Sequence, residues 1–331
     1  MKLDYKLETI NCPLCGKNNY EPYLTNVKEL YNGTDNYFTV VKCCDCGMVF
    51  TNPRPTKDSI GVFYPDSAGY YQPKKRNKEN TIEEKIKRTI LAHYYSYKIK
   101  APFGKFLAFL FKKLIGRKLA VSHISNYVEG GKLLDIGCSW GQYLSEMAYY
   151  GWDVYGIEIN KKAVDHAKNV LGMKNIDNCS FEEYQCQDNF FDVIHMSMAV
   201  EHLHDPLGCL KRAHNLLKKN GKLIISVPDI SGFEARIYGK IAYTLQAPQH
   251  LNHFTPGTIT AMLNKSGFNV ERIIHQSSGK DLIESAKYLD NKLLHNILKS
   301  PPIKKLFIKP FAFLLAKCGK TSRMSVYATK N

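Results

Sequence analysis

The chain has 331 residues, of which 44% are hydrophobic and 23% are charged, so it is long enough for a sizeable core and its composition is not that of a disordered protein. Its longest apolar runs are shorter than the roughly 18–20 residues of a membrane-spanning helix, and its first residues do not show the apolar core of a signal peptide. We therefore expect a cytoplasmic protein and exclude a transmembrane protein, a secreted disulfide-stabilised domain and a fibrous chain.

The net charge of +16 is concentrated in two segments. Residues 74–118 contain 14 basic and 3 acidic residues, and residues 280–331 contain 11 basic and 3 acidic residues. The remainder of the chain is slightly acidic. A basic surface usually binds nucleic acid or an anionic surface. Any such partner is expected to contact these two segments.

Two Cys-x-x-Cys-Gly motifs near the N-terminus predict a metal site, at Cys12 and Cys15 and at Cys43 and Cys46. Four thiolates suit a structural, tetrahedral zinc ion, and paired cysteines in a non-secreted chain favour metal ligation over disulfides. The alternatives are buried packing or, for one pair alone, a redox site. Residues 20–23 and 37–42 alternate like hairpin strands. Residues 1–60 are therefore predicted to form a small zinc-ribbon module.

A linker and basic amphipathic helices are predicted next. Residues 64–80 are rich in Tyr, Pro, Lys and Asn and lack periodicity, which indicates a linker or a mobile cover. Apolar residues at helical spacing then run from Phe103 to Leu114, so residues 61–118 are expected to form a linker and a helical lid. The pattern recurs from Ile303 to Leu315, where Pro310 is expected to break or kink the helix. These helices either pack on the core as a lid or also contact the inner face of an anionic membrane.

From Lys132 onward, short apolar strands alternate with amphipathic helices. This pattern predicts an α/β domain in residues 119–331, with a Rossmann-like, doubly wound and mostly parallel sheet. A helical insertion is expected at residues 281–318, before a last strand at Met324–Ala328. The predicted strands are 132–138, 153–159, 191–198, 222–228 and 269–276, and the predicted helices are 141–151, 160–170, 205–219 and 255–268.

A cofactor site is predicted where the first two strands of this domain end, because ligands bind at the carboxyl ends of such strands. The first strand leads into Asp135-Ile-Gly137-Cys-Ser-Trp-Gly141, and the second ends at Glu158. The glycines allow a tight turn, and an acid at Glu158 can accept hydrogen bonds from both ribose hydroxyls. A dinucleotide site would carry G-x-G-x-x-G for the pyrophosphate, whereas Asp135 disfavours phosphate and suits a sulfonium. The pattern predicts S-adenosylmethionine rather than NAD.

These motifs, together with FDVIHMSMAVEHLHDP and GKLIISVP, resemble class I S-adenosylmethionine-dependent methyltransferases. With CPLCG and CDCGMVFTNPRP, the chain resembles in particular bacterial methyltransferases in which a cysteine-rich zinc module precedes the catalytic domain, many of them encoded with surface-glycan or secondary-metabolite sugar pathways. The family loop usually has a glycine where this chain has Ser139, and a serine fits there if its backbone angles are ordinary.

The resemblance implies roles for individual residues. Gly137 and Gly141 shape the loop, Asp135 supports the cofactor's amino group, and Glu158 holds the ribose. The adenine is expected beside Ser180 and Phe181, and the methionine part near Met198. The candidate cofactor-binding residues are Asp135, Gly137, Cys138, Gly141, Glu158, Ile159, Ser180, Phe181 and Met198.

Three histidines lie on the predicted active edge and are the candidate catalytic residues. His202 follows the strand at 191–198, and His250 and His253 follow the strand at 222–228 and its loop. Because an imidazole titrates near neutral pH, His202 can take a proton from an acceptor hydroxyl. The alternative is that these histidines hydrogen-bond loops or contact the cofactor carboxylate.

The resemblance implies that the acceptor is a hydroxyl on a sugar of a bacterial surface glycan or of its nucleotide-linked or lipid-linked precursor, so that the partner is a small-molecule or lipid-linked glycan substrate. One alternative is rRNA base methylation, which would suit the positive charge, although the basic segments are too aliphatic for base readout and nucleic acid is the less favoured partner. Another is a non-catalytic zinc-ribbon adaptor, against which the intact loop and Glu158 argue. The sequence predicts neither the oligomeric state nor whether oxygen, nitrogen or carbon is methylated.

Overall fold

The computed structural model describes residues 4–64, 81–115 and 123–331. Residues 65–80 of the predicted linker, and the predicted domain boundary between residues 118 and 119, lie outside the described residues. Within those three ranges, no helix combines the length and the apolar character needed to cross a membrane.

The N-terminal residues form short antiparallel strands: β1 (Leu7–Glu8), β2 (Tyr20–Lys28), β3 (Tyr37–Cys43), β4 (Val49–Thr51) and β5 (Arg54–Pro55). β2 pairs with β3 and β3 with β4, while β1 pairs with β5. The predicted hairpin is therefore present and extends further than the sequence pattern indicated. A 3₁₀ turn at Ile60–Phe63 ends this part, and two helices follow, α1 (Ile82–Tyr94) and α2 (Lys105–Ile115).

Beyond residue 131, strands and helices alternate in the predicted order. The strands are β6 (Lys132–Ile136), β7 (Asp153–Ile157), β8 (Ile176–Asp177), β9 (Phe191–Ser197), β10 (Leu217–Pro228), β11 (Asn252–His253), β12 (Phe268–His275) and β13 (Arg323–Lys330). The helices are α3 (Gln142–Tyr149), α4 (Lys161–Asn169), α5 (Pro206–Leu216), α6 (Phe233–Tyr238), α7 (Pro256–Lys265), α8 (Lys280–Ala286), α9 (Lys292–Lys299), α10 (Pro301–Ile303) and α11 (Lys309–Lys317).

Seven strands of the described chain form one sheet in the order β12-β13-β10-β9-β6-β7-β8. The five from β10 to β8 are parallel, and β13 runs antiparallel to both of its neighbours. Leu223, Ile224 and Ile225 in β10 are all fully buried. Because successive strand residues point to opposite faces, helices must cover both faces of the sheet. The Rossmann-like, mostly parallel fold is confirmed.

The N-terminal strands are joined to this domain by backbone pairing. β11 pairs with β4, so one sheet has the order β11-β4-β3-β2. Side chains reinforce the junction, since Arg54 Nη1 donates to His204 O at 2.9 Å and Lys265 Nζ donates to Leu14 O at 2.7 Å. Because β11 also packs against the turn at Val200–His202 that follows β9, the N-terminal strands lie beside the carboxyl ends of the parallel strands.

Helices α8 to α11 lie between β12 and β13, where the sequence predicts an insertion. A π-helical turn at Lys304–Ile308 separates α10 from α11. The backbone is helical at Ile303 and Lys304 and again at Ile308 and Lys309, so the chain enters α11 without a helix terminus before Pro310. The irregularity that the sequence predicts at Pro310 is therefore found as the π-helical turn directly before it. The insertion is tied to the sheet because Arg323 Nε donates to both oxygens of the buried Asp281, at 2.9 and 2.8 Å.

Candidate functional site

The loop between β6 and α3 has a left-handed backbone at Gly137 (φ 75°) and Gly141 (φ 76°). A Cβ atom at Gly141 would lie 3.0 Å from both Ala167 Cβ and Met173 Sδ, so glycine is required there for space as well as for conformation. A Cβ atom at Gly137 would lie 3.5 Å from Ala199 Cβ. This loop therefore lies directly against the segment that follows β9.

Ser139 in the same loop also has a positive φ, of 49°. Ordinary backbone angles, the condition under which a serine was expected to fit, are therefore not found at this position. A side chain in the left-handed region brings Cβ close to a backbone oxygen, at a cost of about 1–2 kcal/mol. The loop thus keeps the conformation that glycine would adopt at the position where the resembling family usually has one.

Glu158 faces this loop from the end of β7. One of its carboxylate oxygens accepts from Ser139 N at 2.9 Å and the other from Asn160 N at 2.8 Å. Each oxygen keeps a further acceptor site, so the carboxylate retains the capacity to bind two hydroxyls. The next side chain, Ile159, is 70% exposed, and Asn178 Nδ2 holds its backbone by donating to the carbonyls of both residues at 2.9 Å. An exposed apolar side chain beside a fixed acid suits the base and ribose of a nucleoside.

Two of the predicted cofactor residues, Asp135 and Cys138, have buried side chains. Asp135 is buried, and its Oδ1 lies 2.7 Å from His195 Nδ1. Cys138 is also buried, and a Cβ atom at Gly156 would meet its sulfur at 2.8 Å, so the thiol packs against β7. Burial raises the pKa of the Cys138 thiol. Direct contact of either side chain with a ligand stays a prediction.

The remaining predicted cofactor residues lie near other strand ends. Ser180 N and Oγ donate to Glu183 at 2.9 and 2.8 Å, and these hydrogen bonds lower the pKa of that carboxyl. Phe181 is buried beneath them. Met198 directly follows β9, and Arg323 Nη1 lies 3.3 Å from its sulfur. Contact of these residues with a cofactor stays a prediction.

Three titratable groups converge after β9. Atoms of Glu201, His202 and His250 lie within 4.8 Å of one another. His202 Nδ1 lies 2.8 Å from the carbonyl oxygen of Gln249, to which it donates, and this leaves Nε2 as the unprotonated nitrogen. Burial lowers the pKa of His202 to about 4 and lowers that of His250 well below its ordinary value. Both imidazoles are therefore neutral at pH 7.

Glu201 is fully buried, and neither of its carboxyl oxygens has a hydrogen-bond partner among the described residues. Burial raises its pKa to about 8, so the carboxyl group holds its proton at pH 7. At pH 7 the cluster consequently contains one protonated carboxyl group and two neutral imidazoles. The unprotonated nitrogen of a neutral imidazole can accept a proton from a hydroxyl that contacts it.

The structure brings His202 and His250 together, with ring centroids 4.7 Å apart. His253 is not part of this cluster and makes its hydrogen bond elsewhere. His250 Nδ1 donates to Thr244 O at 2.9 Å. His253 Nε2 lies 3.2 Å from Thr51 Oγ1, whose hydroxyl donates to His250 O at 3.0 Å. His253 is thus at the β4–β11 junction, where it fastens the N-terminal strands to the rim of the site.

The four cysteine sulfurs predicted as metal ligands converge at the other side of that junction. Cys12 Sγ lies 3.4 Å from Cys46 Sγ, Cys15 Sγ lies 3.6 Å from Cys43 Sγ, and all four lie within 4.8 Å of one another. Sulfurs bonded to one zinc ion at about 2.3 Å would be separated by just under 4 Å, so the donor set fits tetrahedral zinc. Cys44 is exposed and is not part of the cluster.

The sequence did not predict roles for Tyr64, Gln249 and Glu201. Tyr64 Oη lies 3.0 Å from His202 Nδ1, and Gln249 Nε2 donates to Phe63 O at 2.9 Å. Glu201 directly precedes His202 in the Glu-His-Leu-His motif, and an acid next to a candidate base could have indicated that it belongs to the site. Tyr64 opened the segment interpreted as a linker, and its sequence carries no comparable signal.

A mostly parallel sheet with a glycine loop after its first strand and an acid at the end of its second defines the class I methyltransferase fold. Residues 92–273, more than half of the chain, match the family model described as "Methyltransferase domain". The chain belongs to this methyltransferase family.

Individual relatives are more distant. Ubiquinone biosynthesis O-methyltransferase from Coxiella burnetii is 30% identical over 119 residues, covering 34% of this chain and 49% of that protein. The protein of the same name from Aliivibrio fischeri is 26% identical, covering 53% and 80%. A solved S-adenosylmethionine-dependent methyltransferase from Archaeoglobus fulgidus is similar with 20% identity and a TM-score of 0.44, over 67% of this chain and 93% of that one. The chain spans about half the length of the first of these relatives.

Proposed function

We propose that the protein uses S-adenosylmethionine to methylate a hydroxyl group of a sugar, in a nucleotide-linked or lipid-linked glycan precursor. One observation carries the placement of the acceptor hydroxyl next to the methyl donor, namely the contact that joins the Gly137 loop to the segment with Glu201 and His202. Gly137 lies against Ala199, which leads directly into the turn that holds Glu201 and His202. A methyl donor anchored at Glu158 and a hydroxyl at His202 would share this edge of the sheet.

The residues of this edge divide the work. S-adenosylmethionine, when bound, supplies an electrophilic methyl group on its sulfonium. Glu158 would hold the ribose, and the Gly137–Gly141 loop, which Glu158 fixes through Ser139 N, would allow the donor to approach the backbone closely. His202 Nε2 takes the proton of the acceptor hydroxyl as its oxygen becomes the nucleophile, because Gln249 O fixes the proton of His202 on Nδ1. Positioning contributes most to such an in-line displacement, and the base adds a smaller factor.

Two observations bear on the acceptor. The curated relatives from Coxiella burnetii and Aliivibrio fischeri are named O-methyltransferases, which supports oxygen as the methylated atom. The sugar rests on the resemblance of the cysteine-rich N-terminal residues to those of glycan-pathway methyltransferases. Tyr64 Oη lies 3.0 Å from His202 Nδ1, so an acceptor bound at His202 would lie close to the segment that follows the cysteine-rich residues.

The test combines donor binding with acceptor trials. Purified protein should bind S-adenosylmethionine in calorimetry, and Glu158→Ala should weaken binding by roughly tenfold or more, because hydrogen bonds to a charged acceptor are worth about 1.5–3 kcal/mol each. Glu129→Ala, at an exposed acid on the protein surface, is the matched control. Unchanged affinity in Glu158→Ala would mean that the ribose is bound elsewhere.

Labelled methyl transfer then identifies the acceptor. Nucleotide-linked sugars and lipid-extracted glycan precursors should gain label, and His202→Ala should lower that transfer while leaving donor affinity unchanged. Transfer to neither sugar fraction, but to a quinol or to RNA, would overturn the sugar proposal and leave the methyltransferase proposal standing.

We further propose that Cys12, Cys15, Cys43 and Cys46 bind one structural zinc ion. The convergence of their sulfurs supports this, as do the left-handed glycines after each pair, Gly16 and Gly47, whose amides close turns onto Cys12 O and Cys43 O at 2.9 and 3.0 Å. Four thiolates leave zinc no position for a substrate, so the ion stabilises the fold and does not take part in the reaction.

A further inference from the structure

The helical insertion exposes several large apolar side chains. Ile308, Ala312 and Ala316, spaced as neighbours on one helical face, are buried. Six large side chains elsewhere on these helices are 41–72% exposed: Leu293, Ile297, Leu306, Phe307, Phe311 and Leu314. We call these six the insertion face. Inward contacts are made by Ile308, by the two alanines and by one edge of Phe311, whose ring centroid lies 5.4 Å from that of Phe233. Many bulky side chains of these helices nevertheless stay exposed, whereas an ordinary surface helix turns its apolar residues toward the core.

Lysines surround the insertion face, and acidic residues are absent from this part of the sequence. Residues 291–331 contain nine lysines or arginines and no aspartate or glutamate. Six of the lysines lie on the insertion helices and are exposed: Lys292, Lys299, Lys304, Lys305, Lys309 and Lys317. Lysine is depleted in protein–protein interfaces, and pairing two copies of this face by a twofold axis would bring lysines against lysines. The composition is that of a helix lying in a membrane interface.

The same composition recurs on α2. Phe106, Phe109 and Leu114 are 50–73% exposed, next to the exposed lysines Lys105 and Lys113. Ala108 of α2 is fully buried, as Ala312 of the insertion is. Both segments that carry the excess positive charge of the chain therefore combine exposed Phe and Leu side chains with exposed lysines.

Helix α11 of the insertion and helix α2 are both connected to strand β12. α11 packs against β12, which ends the seven-stranded order. Lys112 of α2 lies over the ring of Tyr95, whose hydroxyl is hydrogen-bonded to Arg272 of β12. The two cationic, apolar surfaces are consequently attached to one margin of the domain.

We propose that the insertion face binds peripherally to a bilayer that contains anionic lipid. The ammonium groups contact the phosphates of the headgroups while the aliphatic stems and the outward Phe and Leu side chains enter the acyl boundary. Binding weakens as salt screens the charges. The proposal does not depend on which hydroxyl the enzyme methylates, since it concerns a surface outside the Glu158 and His202 edge.

Co-sedimentation of the full chain with vesicles tests it. The probes are vesicles of phosphatidylcholine alone and vesicles with phosphatidylglycerol added, each at low and at high salt. The wild type should sediment with the anionic vesicles at low salt and should be released at high salt. Lys304→Glu with Lys305→Glu should lower the affinity at least tenfold, given about 1 kcal/mol per basic residue near an anionic surface. Lys168→Glu with Lys174→Glu, an equal charge change on exposed residues elsewhere, is the matched control.

A second variant isolates the apolar contribution. Phe307→Ser with Leu314→Ser should lower affinity for anionic vesicles by a similar factor, with circular dichroism and melting temperature reporting whether it folds. If it does not fold, the lysine variant decides alone. Wild-type protein that stays in the supernatant with anionic vesicles at low salt overturns the proposal, and so does equal loss of binding in the control pair. A dimer in light scattering that the serine variant dissociates also overturns it, because the face would then bind a second copy.

Discussion

The hydroxyl oxygen of Tyr64 lies 3.0 Å from Nδ1 of His202, although the two residues are 138 positions apart in the sequence. Since His202 Nδ1 donates its hydrogen to Gln249 O, the tyrosine oxygen is a second acceptor for the same hydrogen. Both contacts hold the proton on Nδ1 and keep Nε2 free. Tyr64, before α1, thus helps to fix which nitrogen of His202 carries the proton.

Tyr64→Phe should therefore slow methyl transfer without changing the affinity for S-adenosylmethionine. Loss of one neutral hydrogen bond predicts a fall of about threefold to tenfold in kcat. Single-turnover transfer together with calorimetry checks both halves of this expectation. Tyr37→Phe, at an exposed tyrosine of β3, serves as the control and should match the wild type. Equal rates for Tyr64→Phe and the wild type would show that the contact does not orient the base.

The buried acid Glu201 predicts a stability that falls with pH. Its pKa is about 8 when folded, against an ordinary value of 4.5. Between those values the unfolded chain has lost the proton that the folded chain keeps, so the free energy of unfolding declines as pH rises through about 4.5 to 8 and is level above. Each unit of separation corresponds to about 1.4 kcal/mol.

Glu201→Gln removes this ionisation while keeping the shape of the side chain. We expect the variant to be more stable than the wild type at pH 8 and similar to it near pH 4.5. Urea unfolding at a series of pH values measures the difference. Glu129→Gln, on the surface, should follow the wild-type curve. Parallel curves for Glu201→Gln and the wild type would place Glu201 in a solvated or paired environment.

The left-handed Ser139 predicts a stabilising substitution. Ser139→Gly should raise the free energy of unfolding by roughly 0.5–1 kcal/mol, because the relief of backbone strain exceeds the entropy cost of a glycine. Ser139→Ala keeps the strain and removes only the hydroxyl, so it should remain near the wild type. Thermal or urea unfolding of the two variants separates conformation from side-chain chemistry. Gain in both variants, or in neither, would argue against strain at this position.

The four-cysteine cluster predicts one zinc ion per chain. Cys15→Ser should lose the metal and lower the melting temperature, because metal ligation contributes directly to the folding of such small modules. Cys44→Ser, a change one position from the ligand Cys43, should keep both. Elemental analysis and thermal unfolding provide the measurements. Freshly purified wild-type protein without zinc would contradict the assignment.

Much of the sheet could be predicted because its strands are apolar on both faces. Leu223 to Ile225 are fully buried, and such a run is recognisable without knowing its neighbours. The end of α5 was predicted less accurately, because the sequence pattern extended the helix to residue 219 whereas β10 begins at Leu217. The two-residue strands β8 and β11 are too short to show any periodicity.

The site was predictable only where its residues act locally. Glu158 and the glycines could be placed because they follow strands directly. The partners of Tyr64 and Thr51 could not, because each lies across a junction that backbone pairing creates between β4 and β11. The positive φ of Ser139 was likewise hidden, since a serine gives no sign of a conformation that glycine ordinarily supplies.

The pairing of β4 with β11 restricts how this protein can be recombined with its relatives. Asn252 and His253 pair with Phe50 and Val49, so the last strand of the cysteine-bearing sheet is encoded some 200 positions after the others. A chimera that exchanges residues 1–60 alone would set a foreign edge against Asn252 and His253 and would also replace Thr51, the hydroxyl that His253 contacts. Exchange of the N-terminal residues together with the segment from His250 to Phe254 would keep donor and acceptor groups matched. These two segments form one structural unit although they are distant in sequence, so a substitution in one should require a compensating substitution in the other.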